Sequence, residues 1–293
     1  MNKLRLTFWS SVDLFYRIRN YLRRRWTGMG AFSNRDDTSD SSATFYVKAV
    51  DRIISRSASF AKFRRIYDYK EILEHVSYTQ GLAYIERILQ LEPDLMQNFM
   101  IFKSNDSIGR PVKYSFPSIG LVSPTTIRYV SVLAEIREIF GHNFQGNIVE
   151  IGVGYGGQFL VIEKSLKCNS YSMFDLPNVL NLVEIFLTNF GKEKIVKFES
   201  LDNENLQDWD LVISNYAFSE LPRLLQLKYI EKVLSRSKRG YLIMNSGRSD
   251  LTGRSLGKLS LGELKELLPP FIILEEIPLT SKDNYVIVWG HER

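Results

Sequence analysis

The chain has 293 residues, 44% hydrophobic and 24% charged, the composition of a globular protein long enough for one large domain and a smaller one. A single cysteine, Cys168, excludes a disulfide framework and points to a reducing, cytoplasmic setting, and three scattered histidines (His75, His142, His291) offer no metal spacing. The net charge of +5 is local: residues 1–26 hold seven basic side chains against Asp13, so the remainder sums to −1 and has no basic face for nucleic acid.

Residues 4–26 place Leu4, Phe8, Phe15, Ile18 and Leu22 on one helical face, with arginines clustered toward the end. That pattern fits a basic amphipathic helix lying flat on a membrane surface, or equally one packed against protein. It is too interrupted by charge to span a bilayer. The polar run 27–43 reads as a flexible tether. From Thr44 to Leu91 apolar residues recur at helical spacing, through Phe60, Phe63, Ile66, Ile72, Val76, Leu82, Ile85 and Leu89, and Pro93 marks an end. This region, 44–126, is expected to be a helical cap that supplies one wall of a substrate pocket. Its last part, 104–126, is rich in Gly and Pro and reads as an irregular connection.

Ser123-Pro-Thr-Thr opens a helix over 127–140. Arg128 lies in its first turn, where the helix dipole does not favour a cation, so a partner is expected: a structural carboxylate or a bound substrate. Next comes Asn147–Phe159, NIVEIGVGYGGQF, a buried strand running into a glycine-dense turn (Gly152, Gly154, Gly156, Gly157) and a helix near Gln158. Such a turn carries main-chain amides to a ligand at a helix N-terminus. The glycines also satisfy the dinucleotide spacing, and Asp175, at the end of a second strand (171–175), would meet ribose hydroxyls of either cofactor. Glu150 separates the two. An acid there repels a pyrophosphate but receives an ammonium, so a pocket with amides for an anion and a carboxylate for a cation fits the amino-acid end of S-adenosylmethionine.

Strands at 195–199, 211–215 and 241–244 alternate with helices, and the tail adds a short helix and two strands, 272–277 and 285–289, joined by a polar turn. The expectation is an α/β fold, a Rossmann-like seven-stranded, mostly parallel sheet with a C-terminal antiparallel hairpin. Class I methyltransferases have that arrangement, whereas a nicotinamide-dependent oxidoreductase would continue with another βαβ half.

Glu150-Ile-Gly-Val-Gly-Tyr-Gly-Gly, Phe174-Asp-Leu-Pro, Ile213-Ser-Asn-Tyr-Ala-Phe-Ser-Glu-Leu and the upstream Ser123-Pro-Thr-Thr-Ile-Arg-Tyr together resemble the sugar O-methyltransferase family of bacterial surface-polysaccharide gene clusters. The likeness runs from about residue 105 to the end of the fifth strand and departs at Val153, where the family has a further glycine. It implies S-adenosylmethionine as cofactor and a sugar or glycan hydroxyl as acceptor, nucleotide-linked or lipid-linked.

Methyl transfer to a hydroxyl needs alignment and a base. No histidine lies in a motif, so Glu220 is the preferred base, with a helix-terminal charge as its structural alternative. Tyr216 would orient the sugar or serve as a core aromatic, and Asn215 would touch the cofactor. Asp202 could accept from the adenine amino group, and Arg248 and Arg254 could hold a diphosphate. A cofactor-binding scaffold without turnover is the non-enzymatic alternative.

Overall fold

The computed structural model describes residues 44–248 and 257–291. The expected basic helix, the tether and Arg254 lie outside the described residues. Among the described residues five α-helices come first: α1 (Thr44–Ser55), α2 (Ser57–Phe60), α3 (Tyr67–Leu73), α4 (Tyr78–Leu91) and α5 (Pro93–Gln97). A reciprocal cap starts α4, in which Ser77 Oγ accepts from the Gln80 amide and Gln80 Oε1 accepts from the Ser77 amide. Where the sequence reads as irregular, the chain forms a 3-10 helix over Phe99–Asp106 and a small hairpin, β1 (Tyr114–Phe116) with β2 (Gly120–Val122). Strands of three residues are too short to display a period, so they left no trace in the pattern.

The second half is the expected sheet. Helix α6 (Pro124–Phe140) leads to β3 (Gln145–Ile151), α7 (Gly157–Ile162), β4 (Lys167–Phe174), α8 (Pro177–Thr188) and β5 (Val196–Phe198). Then follow β6 (Leu211–Asn215), α9 (Ala217–Glu220), α10 (Arg223–Lys232), β7 (Gly240–Met244), α11 (Leu261–Leu267), β8 (Phe271–Glu275) and β9 (Tyr285–Trp289). The strand order is β5-β4-β3-β6-β7-β9-β8, parallel except for β9, which runs antiparallel to both neighbours. The connections leave β3 in one direction toward β4 and β5 and in the other toward β6 and β7. This reversal opens a crevice at the carboxyl ends of β3 and β6.

Ser123 caps α6 by accepting from the Thr125 amide at 3.2 Å, and Pro124 supplies its first turn. Every residue from Pro124 to Ile136 is buried, because α6 lies between the sheet and the cap and packs on α4. One hydrophobic cluster accordingly runs without a break from Tyr46 and Phe63 in the cap to Ile148, Ile213 and Val286 in the sheet.

An arginine pins the cap. Arg64 is fully buried and reaches Glu74 Oε1 at 2.5 Å, Asp106 Oδ1 at 3.2 Å and Ser123 Oγ at 3.3 Å, with its guanidinium 4.8 Å from the centre of the Tyr155 ring. Asp106 also accepts from the Ser123 amide and from Thr126, so one charge network joins the cap, the start of α6 and the glycine turn that contains Tyr155.

Candidate active site

The crevice opens into a cavity of about 1110 Å³. Its floor consists of the turns after β3, β4 and β6, and the cap closes it with Tyr46, Leu73, His75 and Tyr84. That volume exceeds the usual range for one small ligand, roughly 300–1,000 Å³, and suits a cofactor together with an acceptor.

The glycine turn forms the centre of the floor. Gly152 has φ +78°, and a Cβ added there would lie 2.0 Å from the Cβ of Ala217, so the turn after β6 can approach only a glycine. Gly152 and Gly154 face the cavity, whereas Gly156 and Gly157 lie behind its wall. Gly157 gives room to the rings of Tyr129 and Tyr155, which explains its identity by packing.

The expected bare amides are not what the structure shows. The Gly152 amide donates to the Phe174 carbonyl at 2.9 Å, and the Gly154 amide donates to Asp175 Oδ2 at 3.3 Å. Asp175 is the first residue past β4, and the register that pairs Ile151 with Phe174 sets its carboxylate against the turn. Its other oxygen accepts from the Leu176 amide at 2.7 Å. Burial pushes the Asp175 carboxyl up to about 6, opposed by these amide donors. Each oxygen keeps a lone pair for a further donor.

Glu150 does not reach the cavity wall. Side chains alternate along β3, so Glu150 shares with Ile148 the face turned under the helices, where it is 2% exposed and accepts from the Tyr171 hydroxyl at 2.6 Å. Desolvation pushes its carboxyl up to about 8, which favours the protonated form.

Beyond β6 the structure gathers three expected residues. Asn215 donates from Nδ2 to Gln158 Oε1 at 3.3 Å, while its Oδ1 is buried at the cavity with no partner among the described residues. Tyr216 adopts φ +70°, a conformation that a side chain rarely takes, and its hydroxyl donates to Glu276. Glu220 lines the cavity and accepts from Asn245 Nδ2 at 2.9 Å. Arg128 also lines the cavity and is 7% exposed.

Besides Glu150, Gly156 and Gly157, two further expected residues are left outside the cavity. Asp202 is exposed in the loop after β5, which does not contribute to the cavity. Arg248 is exposed and does not line the cavity; it donates to the carbonyl of Asn284, which does, at 3.2 Å.

Other site residues had no signal in the sequence. His75 reaches the wall from the turn between α3 and α4, although no motif contains it. Glu276, buried after β8, accepts from Tyr216, from the Thr280 amide at 2.8 Å and from Asn284 at 2.9 Å, and so fixes the Tyr216 ring. Its contrast with exposed Glu275 appears only once the chain is folded. Among the described residues no group of His, Cys, Asp or Glu is arranged to hold a metal ion.

No protein-family model and no curated protein matches the chain. Among solved structures, it is similar to a SAM-dependent methyltransferase from Aquifex aeolicus, with 17% identity over 55% of this chain and 87% of that one, TM-score 0.39. The pyocyanin biosynthetic protein PhzM matches at 13% identity over 55% of this chain and 56% of that one, TM-score 0.38. A family 2 O-methyltransferase from Planctomyces limnophilus, in complex with apigenin, matches at 13% identity over 55% and 60%, TM-score 0.38. The match therefore spans less than two thirds of the length of the last two. With TM-scores this low the likenesses carry no weight for function, which rests on the site itself.

Proposed function

We propose that the protein is an S-adenosylmethionine-dependent O-methyltransferase acting on a sugar hydroxyl in the assembly of bacterial surface polysaccharide. The observation that carries the cofactor is the floor: a left-handed glycine turn, a ribose-ready carboxylate at Asp175 and the unpartnered Asn215 Oδ1 meet at the carboxyl ends of adjacent parallel strands. The sugar acceptor is implied by the sequence resemblance alone.

In this reading residues 127–293 hold the cofactor and the cap, 44–126, covers the acceptor. Asp175 receives the ribose hydroxyls on its free lone pairs, and Asn215 Oδ1 receives a donor from the amino-acid end. When bound, the cofactor supplies an electrophilic methyl group on a sulfonium. Glu220, oriented by Asn245, takes the acceptor hydroxyl proton, and Tyr216, held by Glu276, fixes the acceptor face. Residues 1–26 bind an anionic membrane surface and keep the enzyme near its glycan.

Calorimetric titration of the full chain with S-adenosylmethionine, S-adenosylhomocysteine and NAD tests the assignment. The two sulfur compounds are expected to bind and NAD to give no heat. Heat from NAD alone would replace the transferase with an oxidoreductase, and no heat from any of the three would end both.

A further inference from the structure

Arg128 is a buried charge without a counter-charge. The other buried arginine, Arg64, is matched by Glu74 and Asp106. Among the described residues no carboxylate lies within ion-pair distance of Arg128. Its guanidinium stands 5.4 Å from the Tyr129 ring centre and 5.9 Å from that of Tyr216. These neighbours are neutral: burial pushes Tyr84 up to about 12 and raises Tyr129 and Tyr216 as well. The nearby carboxylates are engaged elsewhere, Glu276 with Tyr216, Thr280 and Asn284, and Glu135 with Arg87 and Tyr241.

Ring faces at this distance offset only part of what it costs to bury a guanidinium, and an anion offsets far more. The side chain also sits one turn into α6, whose N-terminal end adds positive potential. Both features prepare the cavity for a negative group. The acidic end of a cofactor needs such a partner here, because the turn amides of Gly152 and Gly154 are already donated within the protein. Tyr216, under the guanidinium, directly follows Asn215, whose Oδ1 lacks a donor. A guanidinium without a counter-charge and an acceptor without a donor, both among the residues that line the cavity, match the carboxylate and ammonium of an α-amino acid.

We propose that Arg128, rather than the glycine-turn amides, holds the carboxylate of the cofactor's amino-acid end, with Asn215 Oδ1 receiving its ammonium; this rests on the transferase reading above. Arg128 is thereby a cofactor-binding residue and not an acceptor contact. Its planar fork suits a carboxylate bidentately, which a lysine cannot reproduce.

The test is a residue-by-ligand cycle with the full chain, titrating S-adenosylmethionine and decarboxylated S-adenosylmethionine into wild type, Arg128→Met and Arg128→Lys. Wild type is expected to prefer the carboxylated ligand. Arg128→Met is expected to bind it about 10–100-fold more weakly while its affinity for the decarboxylated ligand is unchanged. Arg128→Lys is expected to fall between, and the Met variant should melt no lower than wild type, since an unpaired buried charge has gone. Equal losses for both ligands, or an unchanged affinity for S-adenosylmethionine in a folded variant, would overturn the proposal while leaving the transferase reading intact. A wild type that binds neither ligand would sink the transferase reading and this inference with it.

Discussion

The floor of the cavity and its cap wall hold their groups in place by different means. At the floor the positioning is done by backbone: φ +78° at Gly152, the Gly152 amide on Phe174, and the amides of Gly154 and Leu176 on Asp175. At the wall it is done by side chains far apart in sequence, with Arg64 joining Glu74, Asp106, Ser123 and Tyr155. Backbone placement comes with the strands themselves, whereas the wall exists only if a buried charge network closes. The floor should therefore survive insults that displace the wall.

The largest effect expected from breaking this contrast is at Arg64. Arg64→Ala leaves Glu74 and Asp106 buried without their cation, a loss of about 3–5 kcal/mol. Urea unfolding followed by far-UV circular dichroism would measure it. An unchanged midpoint would mean that the cap is held by apolar packing alone.

Next in size is the chemistry at the border of the two regions. Glu220 lines the cavity, and Asn245 orients it. Glu220→Gln is expected to lower kcat about 10²-fold or more, within the usual worth of a general base, and to leave cofactor affinity alone. Single-turnover methyl transfer together with calorimetry separates the two quantities. An unaltered rate would return Glu220 to the role of a helix-terminal charge.

What could be read in the sequence follows the same division. Each floor residue lies in a short local motif, so Gly152, Gly154, Asp175, Asn215 and Glu220 could be picked out from strand-turn-helix pattern, and Asn215 and Glu220 fall where a strand ends at 215 and a helix begins soon after. The antiparallel hairpin was equally visible, since β9 spans the expected residues. The wall was hidden. No local signal distinguishes Arg64, which crosses 42 residues to Asp106, from a surface arginine. Glu150 shows a subtler limit: its place beside the glycines was plain, but the face it takes depends on the two-residue period of β3 against helices packed later in the chain.

The last comparison lies within the floor itself, between Asp175 at its surface and Glu150 beneath it. The Glu150 carboxyl is raised by burial from 4.5 in the unfolded chain to about 8 in the fold. Between those values the folded state keeps a proton that the unfolded chain has released. Stability therefore falls as pH rises through the window and levels off above it. Glu150→Gln keeps an oxygen for the Tyr171 hydroxyl and has nothing to titrate. The variant is expected to match wild type near pH 5 and to gain on it steadily toward pH 8, read as the difference in melting temperature across the series. Parallel profiles would show that Glu150 is already ionised in the fold, and that a cation or water reaches it beneath the glycine turn.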